Sequence, residues 1–118
     1  MTTFDKREEG FEQQFAHDEE LKFKATVRRN KWLGLWAAQK LGKGAQEADE
    51  YASELIAAEL DENGDDLVFK KIRADFDAAG IDQSDHQIRR QMEEFFAKAT
   101  EEIITVAAEA KEQGYKEH

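Results

Sequence analysis

The sequence predicts an all-α protein: a four-helix bundle-like domain preceded by a mobile N-terminal arm. Three observations predict this class. Apolar residues recur with the 3.6-residue period of a helix in four successive segments. The 118 residues include no proline, and no stretch alternates β-branched with polar residues, so a β-sheet is not expected. The connections between the four segments are short, which favours antiparallel neighbours.

The first helix is expected over residues 18–41. Asp18 is a candidate N-cap, and the two glutamates that follow it suit the positive end of the helix dipole. Gly42 and Gly44 come next, and glycine commonly ends a helix. The predicted core-facing stripe, with one basic interruption, consists of Leu21, Ala25, Arg28, Trp32, Leu35 and Trp36. The two tryptophans are expected to anchor the core or an interface.

The second helix is expected over residues 45–60. The turn at residues 61–64 ends it, because the asparagine and glycine at its last two positions tolerate positive φ. Its predicted core-facing stripe consists of Ala48, Tyr51, Ala52, Leu55, Ile56 and Leu60.

The third helix is expected over residues 66–79, with Asp65 or Asp66 as its N-cap and Gly80 directly after its last residue. Its predicted core-facing stripe consists of Leu67, Val68, Ile72, Phe76 and Ala79.

The fourth helix is expected over residues 84–113 and has the clearest start. Ser84 and Gln87 have the spacing of a capping box, and Ile81 is expected to pack onto Ile88 as a hydrophobic staple. The end of the chain is expected to fray as a C-terminal tail. The predicted core-facing stripe consists of Ile88, Met92, Phe95, Phe96, Ala99, Ile103 and Val106. The helical domain is thus assigned to residues 18–118.

The N-terminal arm is assigned to residues 1–17. Phe4, Phe11 and Phe15 share one helical face, and charged or amide side chains cover most of the remainder. Gly10 interrupts this segment and costs about 1 kcal/mol of helix stability relative to alanine. A short helix interrupted in this way is marginal in water. We therefore expect an arm that is largely disordered when free and that folds into a partner's groove through its phenylalanines. The alternative is that the arm folds back onto the bundle.

Several classes of protein are not expected from this composition. The chain has no cysteine, which excludes a disulfide framework and a thiol nucleophile. Its three histidines fall in separate parts of the chain, and the common catalytic and nucleotide-binding glycine motifs are absent. No apolar run is long enough for a membrane span, and the first residues do not resemble a signal peptide. We expect a cytoplasmic protein that is not an enzyme and holds no metal and no obligatory cofactor.

The formal net charge is −10, but the charge is unevenly distributed. Residues 21–43 carry seven basic and no acidic side chains, whereas residues 44–118 carry eight basic and 20 acidic ones. The basic segment is a candidate anion-binding face made of Lys22, Lys24, Arg28, Arg29 and Lys31. Its partner could be an acidic protein surface, acidic groups of the same chain or a phosphate, or the pattern could be incidental. Nucleic acid is not expected, because the rest of the chain is strongly acidic.

Several blocks of sequence carry a specific resemblance. They read FDKREEGFE at residues 4–12, FAHDEELKFK at 15–24, RRNK at 28–31, LGLWAA at 33–38, KLG at 40–42, RADFDAAG at 73–80 and SDHQIRR at 84–90. In this order they closely resemble the ζ subunit family, the inhibitor proteins of the F-type ATP synthase in alphaproteobacteria. The similarity extends over roughly residues 3–100.

The resemblance implies a four-helix bundle with a mobile inhibitory arm. In this family the arm enters the catalytic interface between the α, β and γ subunits of the ATPase head and blocks rotation in the hydrolytic direction. The implied location is peripheral, at the inner membrane through the ATP synthase, without insertion into the membrane. The corresponding partner-binding residues of the arm are Phe4, Asp5, Lys6, Arg7, Glu8, Glu9, Phe11, Glu12 and Phe15. One alternative stays open: a helical adaptor or nucleotide sensor that binds ATP, ADP or other anions through the basic first helix.

Overall fold

The computed structural model describes residues 18–113 of the chain, with side chains described through residue 106. These residues form four α-helices and no strand, which confirms the all-α prediction. The helices are α1 (Glu19–Lys40), α2 (Ala45–Ala58), α3 (Gly64–Ala79) and α4 (Asp85–Gln113). The expectations for the arm, residues 1–17, and for the last residues of the tail, 114–118, lie outside the described residues.

Helix α1 is the centre of the packing. It contacts α2 and α4 extensively, while α3 closes the bundle through smaller contacts with both α2 and α4. All four helices contribute to the main core, whose fully buried large side chains are Leu33, Leu55, Val68, Ile72, Phe76 and Ile88. Trp36 borders this core and packs on Phe76 in an edge-type arrangement, at a centroid separation of 5.7 Å.

A second, smaller core lies between the first half of α1 and the second half of α4. It consists of Ala25, Ala99, Ile103 and Ile104, with Leu21, Trp32 and Phe96 packed against it. Helices α2 and α3 contribute no residue to this cluster. Helices α1 and α4 therefore extend as a pair beyond the four-helix core, toward the end of α1 where the arm joins.

Two predicted helix starts are confirmed in atomic detail. The Asp18 carboxylate accepts hydrogen bonds from the backbone N–H groups of Glu20 and Leu21, at 3.0 and 3.2 Å. At the start of α4, the Gln87 N–H donates to the Ser84 hydroxyl at 3.1 Å, and the Ser84 N–H donates to the Gln87 side chain at 2.8 Å. This reciprocal pair is a capping box, so both starts are determined by local chemistry.

The boundary between α2 and α3 differs from the prediction. Helix α2 ends at Ala58, and Leu60, predicted to lie in the core, is 79% exposed beyond its end. Helix α3 begins at Gly64 with Asn63 before it, so neither Asp65 nor Asp66 is the N-cap. Both aspartates lie in the first turn of α3, where their charge favours the helix dipole.

Most of the predicted stripe positions in α2, α3 and α4 are buried as expected, including Leu55, Ile72 and Ile88, but a few positions need correction. Leu67, Ala79 and Val106 are exposed rather than buried, and Leu35 is only half-buried. The core instead takes Leu33 from α1, Phe69 from α3 and Ile104 from α4. These are neighbours in sequence of predicted core residues: the buried face of α1 is rotated from the predicted one, whereas the buried faces of α2, α3 and α4 are largely as predicted.

Gly34 explains how closely α1 and α2 approach. A Cβ atom at this position would lie 2.4 Å from the Ala52 Cα atom, closer than two carbon atoms can pack. Helix α1 therefore requires glycine here, although glycine inside a helix costs about 1 kcal/mol relative to alanine.

Among the described helices, none combines the length and apolarity that crossing a membrane requires.

Candidate functional site

The arm residues that the resemblance assigns to partner binding all lie outside the described residues. The structure instead describes the point where the arm joins the helical domain. Asp18 has an extended backbone, with φ −107° and ψ 105°, and its side chain caps α1. An N-cap residue has a non-helical backbone, so α1 begins at Glu19 and Asp18 is not part of it.

The five cations proposed as an anion-binding face do not form one exposed surface. Lys22 and Lys24 lie near Glu19 and Glu20 of their own helix, at 3.9 and 3.6 Å. Arg28 contacts Glu102 of α4 at 2.7 Å. Lys31 is exposed, and within residues 18–106 it has no ion-pair partner. The structure thus favours acidic groups of the same chain as partners for most of this segment.

Arg29, the remaining cation, is the most deeply buried charge in the described part of the chain. Its side chain is only 5% exposed, and its guanidinium donates to three acceptors: Asn30 Oδ1 at 2.9 Å, Glu59 Oε1 at 2.7 Å and Asp65 Oδ1 at 2.8 Å. We call these three residues and Arg29 the Arg29 cluster. It joins α1, the residue directly after α2 and the first turn of α3.

Asn30 extends the cluster into the backbone of α2. Its side-chain amide donates to the Leu55 carbonyl oxygen at 3.1 Å, a second link between α1 and α2. Gly64 contributes by its small size, because a Cβ atom there would lie 2.7 Å from the Glu59 Cα atom. The tight turn after α2 therefore brings Glu59 and Asp65 to the same guanidinium.

The two carboxylates of the cluster have different electrostatic environments. Burial raises the pKa of Glu59 above its ordinary value of 4.5, since its side chain is only 9% exposed. The hydrogen bond from Arg29 lowers the pKa of Asp65 below its ordinary value of 3.8. A buried charge network of this kind positions helices, because removing one partner leaves another charge buried without compensation.

A pocket of about 300 Å³ opens beside the Arg29 cluster and is lined by Arg29, Asp65, Arg89, Met92, Glu93 and Phe96. Two cations face two carboxylates here, so the wall has no net charge for an anionic ligand. Arg89 is also engaged, with its guanidinium 3.9 Å from the centre of the Phe69 ring. The pocket therefore does not make a site selective for phosphate.

A second polar cluster joins α2 to α3. Tyr51 donates its hydroxyl to Asp75 at 2.8 Å, and Lys71 contacts both Glu54 and Asp75, at 2.9 and 3.3 Å. Burial, and then the hydrogen bond to Asp75, hold the pKa of Tyr51 well above its usual range. Every ionisable group in this cluster is satisfied by another, which suits a helix–helix contact better than acid–base chemistry. Within residues 18–106, no group of three potential metal ligands could hold a metal ion.

Sequence reasoning missed the Arg29 cluster as a buried unit. Arg28 and Arg29 are adjacent and identical in type, and the partners of Arg29 lie 30 and 36 residues further along the chain. The only sequence signal was the glycine at position 64 between the two carboxylates, which permits the tight turn.

Comparison with known proteins gives one family. The family model described as ATPase inhibitor subunit zeta matches residues 1–102, which include the arm and most of the helical domain. No curated protein matches the chain.

Proposed function

This chain belongs to the ATPase inhibitor subunit zeta family, and from that premise we propose how it inhibits. A member of an inhibitor family is a regulatory protein whose role is to restrain an ATPase, and the ATP synthase is the partner that this family implies. The finer proposal is that residues 1–17 enter the catalytic interface of the α, β and γ subunits in the ATPase head. There the arm blocks rotation in the direction of ATP hydrolysis.

The observation that carries the proposal is the extent of the family match, which begins at residue 1 and so includes the arm. Phe4, Phe11 and Phe15 supply apolar anchors, and burial of each contributes about 1.5–3 kcal/mol before the cost of ordering the arm. Ordering takes back several kcal/mol. The net affinity therefore depends on every phenylalanine, and the acidic and basic residues between them would pair with charges at the interface.

The helical domain has a complementary role in this proposal. Its described residues form four packed helices, and packed helix axes lie about 8–10 Å apart, whereas a single helix with its side chains is about 10–12 Å wide. A groove that admits one helix is too narrow for the bundle. The bundle would stop at the surface as a plug while the arm, separated from α1 by the extended Asp18, enters. Rotation in the direction of synthesis would expel the arm, so inhibition would act in one direction only.

The test compares ATP hydrolysis by the ATPase head of the same organism in the presence of four forms of the protein. We expect inhibition by the full chain, and loss of inhibition on deletion of residues 1–15 and in the double variant Phe11→Ala with Phe15→Ala. The matched control, Gln13→Ala with Gln14→Ala, changes the same segment without removing an apolar anchor and should inhibit normally. Circular dichroism checks that each form is folded. Full inhibition by the folded, arm-less protein would move the inhibitory site to the bundle.

The nucleotide-sensing alternative stays a hypothesis, and no feature of the described residues favours it. Arg29 is buried, and Arg28 contacts Glu102 at 2.7 Å. Titration of ATP into isotopically labelled protein tests it directly: the hypothesis requires shifts that cluster on α1, and the absence of shifts at millimolar ATP would exclude it.

A further inference from the structure

One face of α1 is left uncovered near the arm. Phe23 and Val27 precede Asn30 by seven and three residues, which places all three on the same face of the helix. Helix α2 covers this face further along, where Asn30 bonds to Leu55. Because α2 ends at Ala58, it does not extend over the beginning of α1. Phe23 is 46% exposed as a result.

Leu60 lies at the same level of the bundle. Gly34 packs on Ala52, and Asn30 bonds to Leu55, so α1 and α2 run antiparallel. Glu59, the residue before Leu60, contacts Arg29, so Leu60 follows α2 near the part of α1 that contains Val27. We call Phe23, Val27 and Leu60 the apolar ledge; its two most exposed members are Phe23 and Leu60. An exposed apolar surface of this kind marks a site where another segment or molecule binds.

We propose that the arm covers the apolar ledge when the protein is not bound to the ATPase, with Phe15 against Phe23 and Phe11 against Val27 and Leu60. This inference goes beyond the proposed function, which gives the arm's position on the ATPase but not in the free protein. It assigns a location to the fold-back alternative raised by the sequence. Contact through two side chains requires no helix in the arm, so the marginal helix propensity of this segment is not an obstacle.

The length of the arm fits this assignment. An extended chain spans about 3.3–3.6 Å per residue, so Phe15, three residues before Asp18, can reach about 10 Å from it. Phe23 lies five residues into the helix, which is about 7 Å along its axis. Phe11 can reach about 24 Å by the same arithmetic, and Val27 lies about 14 Å along the axis. Both phenylalanines therefore reach their places when the chain reverses at the extended Asp18.

The charges match on the α1 side of the ledge, whereas Leu60 is followed directly by the exposed Asp61 and Glu62. The arm carries four acidic and two basic residues, and Glu12 stands between its two last phenylalanines. The ledge is flanked by Lys24 and Lys31. Lys24 lies 3.6 Å from one exposed carboxylate, and Lys31 has no ion-pair partner within residues 18–106. An acidic segment lying along the ledge would bring carboxylates to both cations. The C-terminal residues 107–118 are a poorer occupant, since Tyr115 is their one aromatic residue.

The contact would regulate inhibition by competition. An arm held on the ledge is not available to the ATPase, and the apparent affinity falls by the fraction of time that the arm is free. Weakening the ledge should therefore make the protein a better inhibitor, which is the opposite of the effect of weakening the arm.

The direct test uses paramagnetic relaxation, which the absence of cysteine makes simple. A nitroxide at Gln14→Cys should broaden the methyl signals of Val27 and Leu60 more than those of Ile81. The same label in a Phe11→Ser, Phe15→Ser background is joined to Asp18 by the same length of chain. It therefore measures the broadening that arises only because the label is close to α1 along the chain. We expect the broadening at the ledge to fall at least threefold in that background. Equal broadening in both backgrounds would overturn the proposal.

A mixture of spin-labelled chain with isotopically labelled, cysteine-free chain tests whether the arm of a second copy, rather than the chain's own arm, lies on the ledge. Broadening at the ledge in that mixture would mean that the arm of a second copy occupies it, which would also overturn the proposal. The expected result is no broadening in the mixture.

The functional test measures the concentration that half-inhibits the ATPase head. The Phe23→Ser, Leu60→Ser variant should inhibit at about 3- to 10-fold lower concentration, whereas Leu67→Ser, an exposed apolar residue outside the ledge, should match the unaltered chain. A higher inhibitory concentration for the ledge variant would mean that the ledge binds the ATPase itself and would overturn the proposal. If the unaltered chain does not inhibit, the proposed function fails, and the relaxation experiment still decides the location of the arm.

Discussion

Replacing Arg29 by methionine tests the Arg29 cluster most sharply, because the neighbouring Arg28 is a matched control. Methionine keeps most of the apolar stem and removes the charge. The change removes three hydrogen bonds, to Asn30, Glu59 and Asp65, at 2.7 to 2.9 Å. The principal cost is the Glu59 carboxylate, which remains 9% exposed and loses its partner.

The expected magnitude follows from burial. Removing one member of a buried ion pair costs about 3–5 kcal/mol, mostly through the charge left behind. Asp65 adds little, since its side chain is 68% exposed and water can replace the lost contact. Arg28→Met removes an equally short contact with Glu102, but both side chains of that pair are exposed, so its expected cost is below about 1 kcal/mol. Urea unfolding followed by circular dichroism at pH 7.5 measures both.

The destabilisation caused by Arg29→Met should also depend on pH, and it should be larger at high pH than at low pH. Burial already raises the pKa of Glu59, and Arg29 opposes that rise. Without Arg29 the pKa of Glu59 rises further, so the folded variant holds a proton that the unfolded chain releases. The stability of the variant is then greatest below pH 4.5 and is lost as pH rises through the raised pKa of Glu59. The lowered pKa of Asp65 adds to the trend, because the unaltered protein loses that contribution as pH falls through it.

Two results would refute this reasoning. One is a cost for Arg29→Met no larger than that for Arg28→Met; the other is a cost that is the same at pH 5 and pH 8. Where Arg29→Met does not fold at all, the double variant Arg29→Met, Glu59→Met removes the uncompensated charge and should recover most of the lost stability. A double variant that stays unfolded would show that the cluster's energy does not reside in this pair.

Two further predictions concern the packing and capping of the helices. Gly34→Ala should lower the free energy of unfolding by about 1–3 kcal/mol, because its Cβ atom would lie 2.4 Å from the Ala52 Cα atom. Helix propensity alone predicts the opposite, an increase in the free energy of unfolding of about 1 kcal/mol. A rise in melting temperature would therefore disprove the close approach. Ser84→Ala removes the hydroxyl that accepts from the Gln87 N–H and should cost about 0.5–2 kcal/mol in the same unfolding assay, with an unchanged stability arguing against the capping box.

The parts of the fold that depend on neighbouring residues could be read directly from the sequence. The caps at Asp18 and Ser84 are contacts over two or three positions, so side-chain chemistry and spacing suffice to predict them. The same holds for four helices, for their order and for three of the four helix starts to within a residue. The resemblance to the inhibitor family likewise rests on contiguous blocks, and the family comparison agrees with it.

The sequence predicted most of the buried apolar positions of α2, α3 and α4 but not the buried face of α1, because that face depends on how α1 is rotated against the helices around it. Adjacent positions on a helix differ by about 100°, and this rotation alone separates the buried Arg29 from the exposed Arg28. The end of α2 was likewise not predicted: the helix ends at Ala58, and the tight turn that follows leaves Leu60 exposed and brings Glu59 and Asp65 to Arg29. Local propensity does not encode that turn's partners, since they come from contacts across 30 and 36 residues, which exist only once the helices pack.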